Sequence, residues 1–225
     1  MSHPVRWLCI TSWMVNKFYD VHKGETCLLV GNGSNLLATP PEWFDCPSFG
    51  LNTIHLYKGW KPDYYVAVDY VLYEEFGAAI NTAFPDIPKF VPTPTADKWT
   101  GENFYRFPKK TGDIKLPRRE NVLKDGFVYY NVMNAAMVIA WHMGFTRMLM
   151  IGVEQKQGAG ELAKHFWGVD ELTPASQTDE HWNLGYSGLI RAFTGIEVLN
   201  ISENTYVPET VLPRDDWRKY AKVTA

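Results

Sequence analysis

The sequence predicts an α/β fold: one Rossmann-like domain over residues 1–225, with a mostly parallel sheet and a lid insertion. Three observations lead there. Short apolar runs recur along the chain, each bounded by turn residues. Several of them are apolar without alternation, as in "TCLLVG" (26–31) and "RMLMIGV" (147–153), which marks strands covered on both faces. Between the runs lie segments of helical periodicity, and strands alternating with helices pack as a parallel sheet with right-handed crossovers.

In order along the chain, "WLCITSWMVNKFY" (7–19) spaces Trp7, Ile10, Trp13, Met14 and Phe18 as a leading helix that Gly24 ends. Strands are expected at 26–31, 48–54, 64–69, 88–92, 147–153 and 196–202, and helices at 70–84, 131–145 and 179–193. Residues 92–127 interrupt this rhythm with Pro92, Pro94, Pro108 and Pro117 and read as a lid or binding insertion. Residues 154–180 read as a second active-site loop after a strand end. The tail is expected to pack back through Tyr206, Val211 and Trp217.

Composition narrows the function classes. The net charge of −3 argues against a protein that coats nucleic acid broadly. Between Arg106 and Lys124, however, seven basic side chains face two acidic ones, a local excess that suits a phosphate or another polyanion through Lys109, Lys110, Arg118 and Arg119. The alternative is a solvated basic loop. Aromatic residues make up 15% of the chain, nine of them tryptophan, and give flat surfaces for sugars or bases. Cys9, Cys27 and Cys46 are odd in number and lack CxxC spacing, which indicates reduced thiols and no zinc site. No stretch reaches the roughly 20 apolar residues that span a bilayer, and the first 20 residues lack the marks of a signal peptide, so a cytoplasmic protein is expected.

In parallel α/β sheets ligands bind beyond the carboxyl ends of the strands. Gly31, Asn32, Gly33 and Ser34 follow the first strand there, either as a plain turn or as a ligand-gripping loop. Asn52, Asp69 and Glu154 follow three further strands, although Asp69 is equally suited to cap the next helix. Asn131 and Asn134 stand at the head of an apolar helix, where amide N–H groups suit a phosphate and where Asn131 can also serve as a cap. His165 and His181 fall in or just after the second loop, as a general base or as ordinary surface residues. No HxxxH, HxH, DxD or GxSxG pattern occurs, which speaks against a metal site and against serine-hydrolase chemistry.

"LLVGNGSNLL", "FGLNTIHLY", "KPDYYVAVDYVLYEEF" and "NVMNAAMVIAWHMGFTRMLMIGVE", in that order, resemble a superfamily over residues 26–201. It joins bacterial lipooligosaccharide sialyltransferases, flagellin-modifying proteins and archaeal 6-hydroxymethylpterin diphosphokinase-like proteins. The resemblance implies a GT-A-variant domain in which Asn32 and Asn52 hold a nucleotide, Asp69 and Asn131 or Asn134 lie near the donor, and Glu154 touches ribose or acceptor. It also implies a catalytic histidine, with His181 the better positional match and His165 the reserve. Two departures stand out: Ser34-Asn35 replaces Pro-Ser, and no tyrosine lies between Glu154 and Glu180, where Lys164, Phe166 and Trp167 occur instead.

The resemblance implies a metal-independent glycosyltransferase with no cofactor beyond its nucleotide-sugar donor. Its acceptor would be a hydroxyl on a glycan, a protein or a hydroxymethylated DNA base. The alternatives are a magnesium-dependent diphosphokinase, with Asp69 and Glu154 as ligands, and a nucleotide-binding module without catalysis. A homo-oligomer is compatible with all three.

Overall fold

The structure is a computed structural model and describes residues 17–93, 99–155, 162–174 and 179–222. The expected leading helix lies almost entirely outside these residues. Seven strands form one sheet: β1 Thr26–Val30, β2 Ser48–Leu51, β3 Tyr64–Val66, β4 Lys89–Pro92, β5 Phe104–Phe107, β6 Arg147–Ile151 and β9 Glu197–Asn200. Their order is β5-β4-β3-β2-β1-β6-β9, and every neighbouring pair is parallel. The chain steps outward from β1 to β5 and then returns to lay β6 on the other side of β1. The winding therefore reverses between β1 and β6, the switch point where loops diverge and leave a crevice.

Alternation along each strand sends side chains to opposite faces, so each face acquires its own core. Cys27 and Leu29 of β1 join Phe49, Leu51, Val66, Phe90, Met148 and Met150 on one face, against helix α3 (Val132–His142). Leu28 and Val30 join Tyr65, Val91, Leu149 and Ile151 on the other face, with Tyr73, Ile80 and Phe84 from helix α1 (Tyr70–Ala83) and its end. Residues Met133–Ala140 of α3 are all buried, and Ala135, Ala136 and Ala140 let its backbone sit close to the sheet.

The 92–127 segment contributes more to the sheet than an insertion requires. Within it β5 completes the sheet edge, Trp99 packs on Tyr73 with ring centroids 4.6 Å apart, and Phe107 stacks on Phe127 at 5.0 Å. Val122 and Leu123, from the short helix α2 (Val122–Asp125), are buried beside them. The 154–180 segment holds a two-stranded antiparallel hairpin, β7 Leu162–His165 and β8 Gly168–Pro174. Helix α4 (Asp179–Ala192) follows it. In the tail, Trp217 packs on Trp43 at 4.8 Å and Leu212 is fully buried, whereas Tyr206 is exposed. No helix among the described residues is long and apolar enough to cross a membrane.

Candidate functional site

The switch point between β1 and β6 is open as a cleft of about 180 Å³. Its walls are the loops after β1, β2 and β6, the first turn of α3, His165 of the hairpin, and Trp182 and Tyr186 of α4. Strand ends meet here because the loops that leave β1 and β6 stay hydrogen-bonded to each other. The Gly31 N–H donates to the Ile151 carbonyl (2.9 Å) and the Gly33 N–H to the Gly152 carbonyl (2.8 Å). A Cβ on Gly31 would stand 2.5 Å from the Gly152 oxygen, and Gly152 itself has φ +66°, so both positions need glycine for backbone contact before any ligand is considered.

Asn32 is held by its Nδ2, which donates to the Leu51 carbonyl at 3.0 Å, while its Oδ1 is buried without a partner. Asn52 takes a left-handed φ of +44°, which asparagine tolerates better than most residues, and its Oδ1 is also buried without a partner. The Asn52 carbonyl accepts from the Tyr65 hydroxyl at 2.7 Å, which fixes the turn. Gln155, absent from the sequence expectations, takes φ +55° and leaves both amide atoms buried and unpartnered. Three amide side chains thus bring unsatisfied donors and acceptors to one cleft. Buried polar groups in folded proteins are nearly always satisfied, by water or by a ligand, so the cluster makes this cleft the candidate ligand site.

Glu154 lines the cleft, and its carboxylate accepts from the Ser34 N–H at 3.0 Å and from the Ser34 hydroxyl. Ser34 itself does not line the cleft; it anchors the β6 loop to the β1 loop. Asn131 does two things: its Oδ1 accepts from the Asn134 N–H at 2.9 Å to cap α3, and it lines the cleft beside Val132 and Met133. Asn134 is fully buried behind it, with Oδ1 accepting from the Tyr130 N–H at 3.3 Å. Asp69 caps α1 by accepting from the Val71 N–H at 3.0 Å and does not line the cleft.

The two histidines separate. His165 lines the cleft, because the hairpin folds onto the β1 loop: the Phe166 N–H donates to the Asn32 carbonyl at 2.9 Å, and His165 Nδ1 donates to the same oxygen at 3.2 Å. In a neutral ring that bond places the proton on Nδ1 and the lone pair on Nε2. The hairpin tip is further held by Trp167, whose Nε1 donates to the Thr53 hydroxyl at 3.0 Å and whose indole stacks on the His165 ring at 5.2 Å. His181 points its ring edge at Tyr130, 4.5 Å between centroids, and does not line the cleft.

The basic segment lies apart from the cleft lining. Arg119 ion-pairs with Asp20 and lies over the Tyr19 ring at 5.3 Å, and its carbonyl accepts from His142 Nδ1 at 2.7 Å. Lys109 Nζ lies 4.7 Å from the Tyr129 ring centre. Lys110 and Arg118 are exposed. Among the described residues no cluster of three His, Cys, Asp or Glu side chains could hold a metal ion.

Trp182 and Tyr186 were missed along with Gln155, although their spacing of four on a helix was legible. Tyr186 is buried, which pushes its hydroxyl well above the usual tyrosine value, and it hydrogen-bonds Asn131.

No protein-family model matches the sequence, and no curated protein matches it. A solved structure does match the fold: the sialyltransferase CstII from Campylobacter jejuni in complex with a substrate analogue, cytidine-5'-monophosphate. The match covers 84% of this chain and 84% of that one, with a TM-score of 0.52 and 9% sequence identity. At that identity the likeness is one of architecture, and the chain has a distant sialyltransferase-like fold.

Proposed function

We propose that the cleft binds a nucleotide and that the protein is a glycosyltransferase using a nucleotide-sugar donor. The observation that carries this reading is the convergence of Asn32, Asn52 and Gln155, with unsatisfied buried amide atoms, at the switch point of a parallel sheet. The two Oδ1 acceptors suit ribose hydroxyls or an exocyclic amine, and the Gln155 amide, both donor and acceptor, suits a base edge. A volume of about 180 Å³ is below the roughly 300–1,000 Å³ of sites that enclose a whole ligand, so the cleft grips one end and leaves the other outside for an acceptor. The fold's likeness to a sialyltransferase solved with cytidine-5'-monophosphate supports the same reading.

In this reading His165 is the general base. Its Nε2 takes the proton of the acceptor hydroxyl, the acceptor oxygen bonds to the anomeric carbon, and the bond from that carbon to the donor phosphate oxygen breaks with its electron pair on the phosphate. The N–H groups of Val132 and Met133 at the start of the 11-residue α3 offer that charge its stabilisation, since among the described residues no Lys or Arg lines the cleft. No step in this scheme calls on a metal ion. The diphosphokinase alternative gains no support, because its two carboxylates, Asp69 and Glu154, do not line the same cleft.

The test is donor hydrolysis and transfer by wild type and by His165→Ala, with CMP-, UDP- and GDP-sugars. Loss of turnover with nucleotide affinity retained supports the assignment. Turnover unchanged in His165→Ala sinks the base, and the absence of nucleotide binding sinks the whole reading.

A further inference from the structure

A second cavity, of about 530 Å³, lies outside this cleft, between the turn that follows β2 and the C-terminal end of α1. His55, Tyr57, Lys58, Trp60, Lys61 and Phe84 line it. His55 sits in the same short helical turn as Asn52 (Asn52–Leu56), so one turn serves both cavities. The Phe166 ring, next to His165 in the hairpin, packs edge-on to Tyr57 of this cavity at 5.5 Å.

His55 is the unexplained group. It is 5% exposed, its ring rests on Phe76 at 5.2 Å, and both ring nitrogens are buried with no well-formed hydrogen bond, the Asn52 backbone being the one polar group near enough to favour the charged ring. Burial holds the ring of this lining residue neutral near pH 7, with one N–H and one lone pair. A buried imidazole without a well-formed hydrogen bond gains little for the fold. Around it, Tyr57 and Trp60 supply aromatic faces, and Gly59 with φ +88° turns the chain between two exposed lysines. Aromatic faces interleaved with cations are what a base and its phosphate require. No carboxylate is among the described lining residues, and that of the nearby Glu42 accepts from the Tyr57 hydroxyl at 3.2 Å.

We propose that this cavity is a second ligand site, for a phosphorylated nucleoside, either free or as one residue of a single-stranded nucleic acid. His55 hydrogen-bonds the base or sugar, Trp60 stacks, and Lys58 and Lys61 hold the phosphate. The site does not depend on what the cleft binds.

The experiment uses AMP by calorimetry and fluorescein-labelled octathymidylate by anisotropy, on wild type, Asn32→Ala/Gln155→Ala, Lys58→Ala/Lys61→Ala and His55→Phe. Binding that survives in the cleft variant and weakens roughly tenfold or more in both cavity variants is the expected result. Because the two lysines are exposed, their replacement leaves the fold intact, and His55→Phe keeps the buried volume. An octathymidylate affinity well above that of AMP assigns the site to nucleic acid, and equal affinities assign it to a free nucleotide. The proposal is overturned if neither probe binds the cleft variant at about 1 mM, or if the cavity variants bind as tightly as wild type. Failure of the cleft reading shows separately, as CMP binding in Lys58→Ala/Lys61→Ala that does not change when Asn32→Ala and Gln155→Ala are added.

Discussion

Acidification should destabilise this protein through one buried ring. Burial lowers the pKa of His55 from its ordinary 6.5 to about 4, with the nearby Lys58 charge adding to the fall and the Asn52 backbone opposing it. The folded state therefore resists the proton that the unfolded chain accepts. Between pH 6.5 and 4 the unfolded state binds more protons, so stability rises with pH across that window and is lost as pH falls through it. Integrated from pH 7.5 to 4.5, the two pKa values give a loss of about 2.5 kcal/mol from this residue alone. Urea unfolding of wild type and His55→Phe at both pH values isolates it, because every other group titrates in both proteins and cancels. Wild type should lose about 2.5 kcal/mol more than the variant. Equal losses would refute the buried, neutral imidazole.

Three further outcomes follow from the packing and the site. Gly185→Ala places a Cβ 2.2 Å from Asn134 Oδ1, on a fully buried side chain with nowhere to move, and should cost about 1–3 kcal/mol, read by calorimetry as a lower Tm. Ser34→Ala removes a hydroxyl donor from the Glu154 carboxylate and should cost about 1–2 kcal/mol while loosening the cleft, read as weaker nucleotide binding in the same melts. His165→Ala should lower kcat roughly 100-fold to 10,000-fold in a transfer assay, with His181→Ala near wild type.

The strands and long helices were legible because two-sided burial leaves an unbroken apolar run, as in β1 and β6, and because α3 is apolar apart from Asn134 and His142. β5 was not legible. An edge strand needs a partner on one side only, so "FYRF" carries an arginine and sits among prolines without a clear pattern. The hairpin β7–β8 is polar and pairs with itself, and only its fold back onto the Asn32 carbonyl decides which histidine reaches the cleft. Sequence position favoured His181, and that long-range hydrogen bond favours His165.

Asn32, Asn52 and Glu154 were readable as strand-end residues facing a crevice. Gln155 was not, because its left-handed backbone and idle amide exist only once β6 ends against the Gly31 loop. The basic run from Arg106 to Lys124 looked like a phosphate clamp in one dimension. In three, Arg119 ties to Asp20 and Lys109 leans on Tyr129, which fastens the segment to the body of the domain.

Calorimetric titration of CMP, UDP, GDP and ATP into wild type, Asn32→Ala and Gln155→Ala tests the central claim most directly. One nucleotide should bind at the cleft as well as at the second cavity, whose share Lys58→Ala/Lys61→Ala removes, and each variant should lose roughly tenfold in cleft affinity, the worth of one hydrogen bond to a buried amide. A wild-type protein that binds none of the four, or variants that bind as wild type does, would contradict a nucleotide held by Asn32 and Gln155.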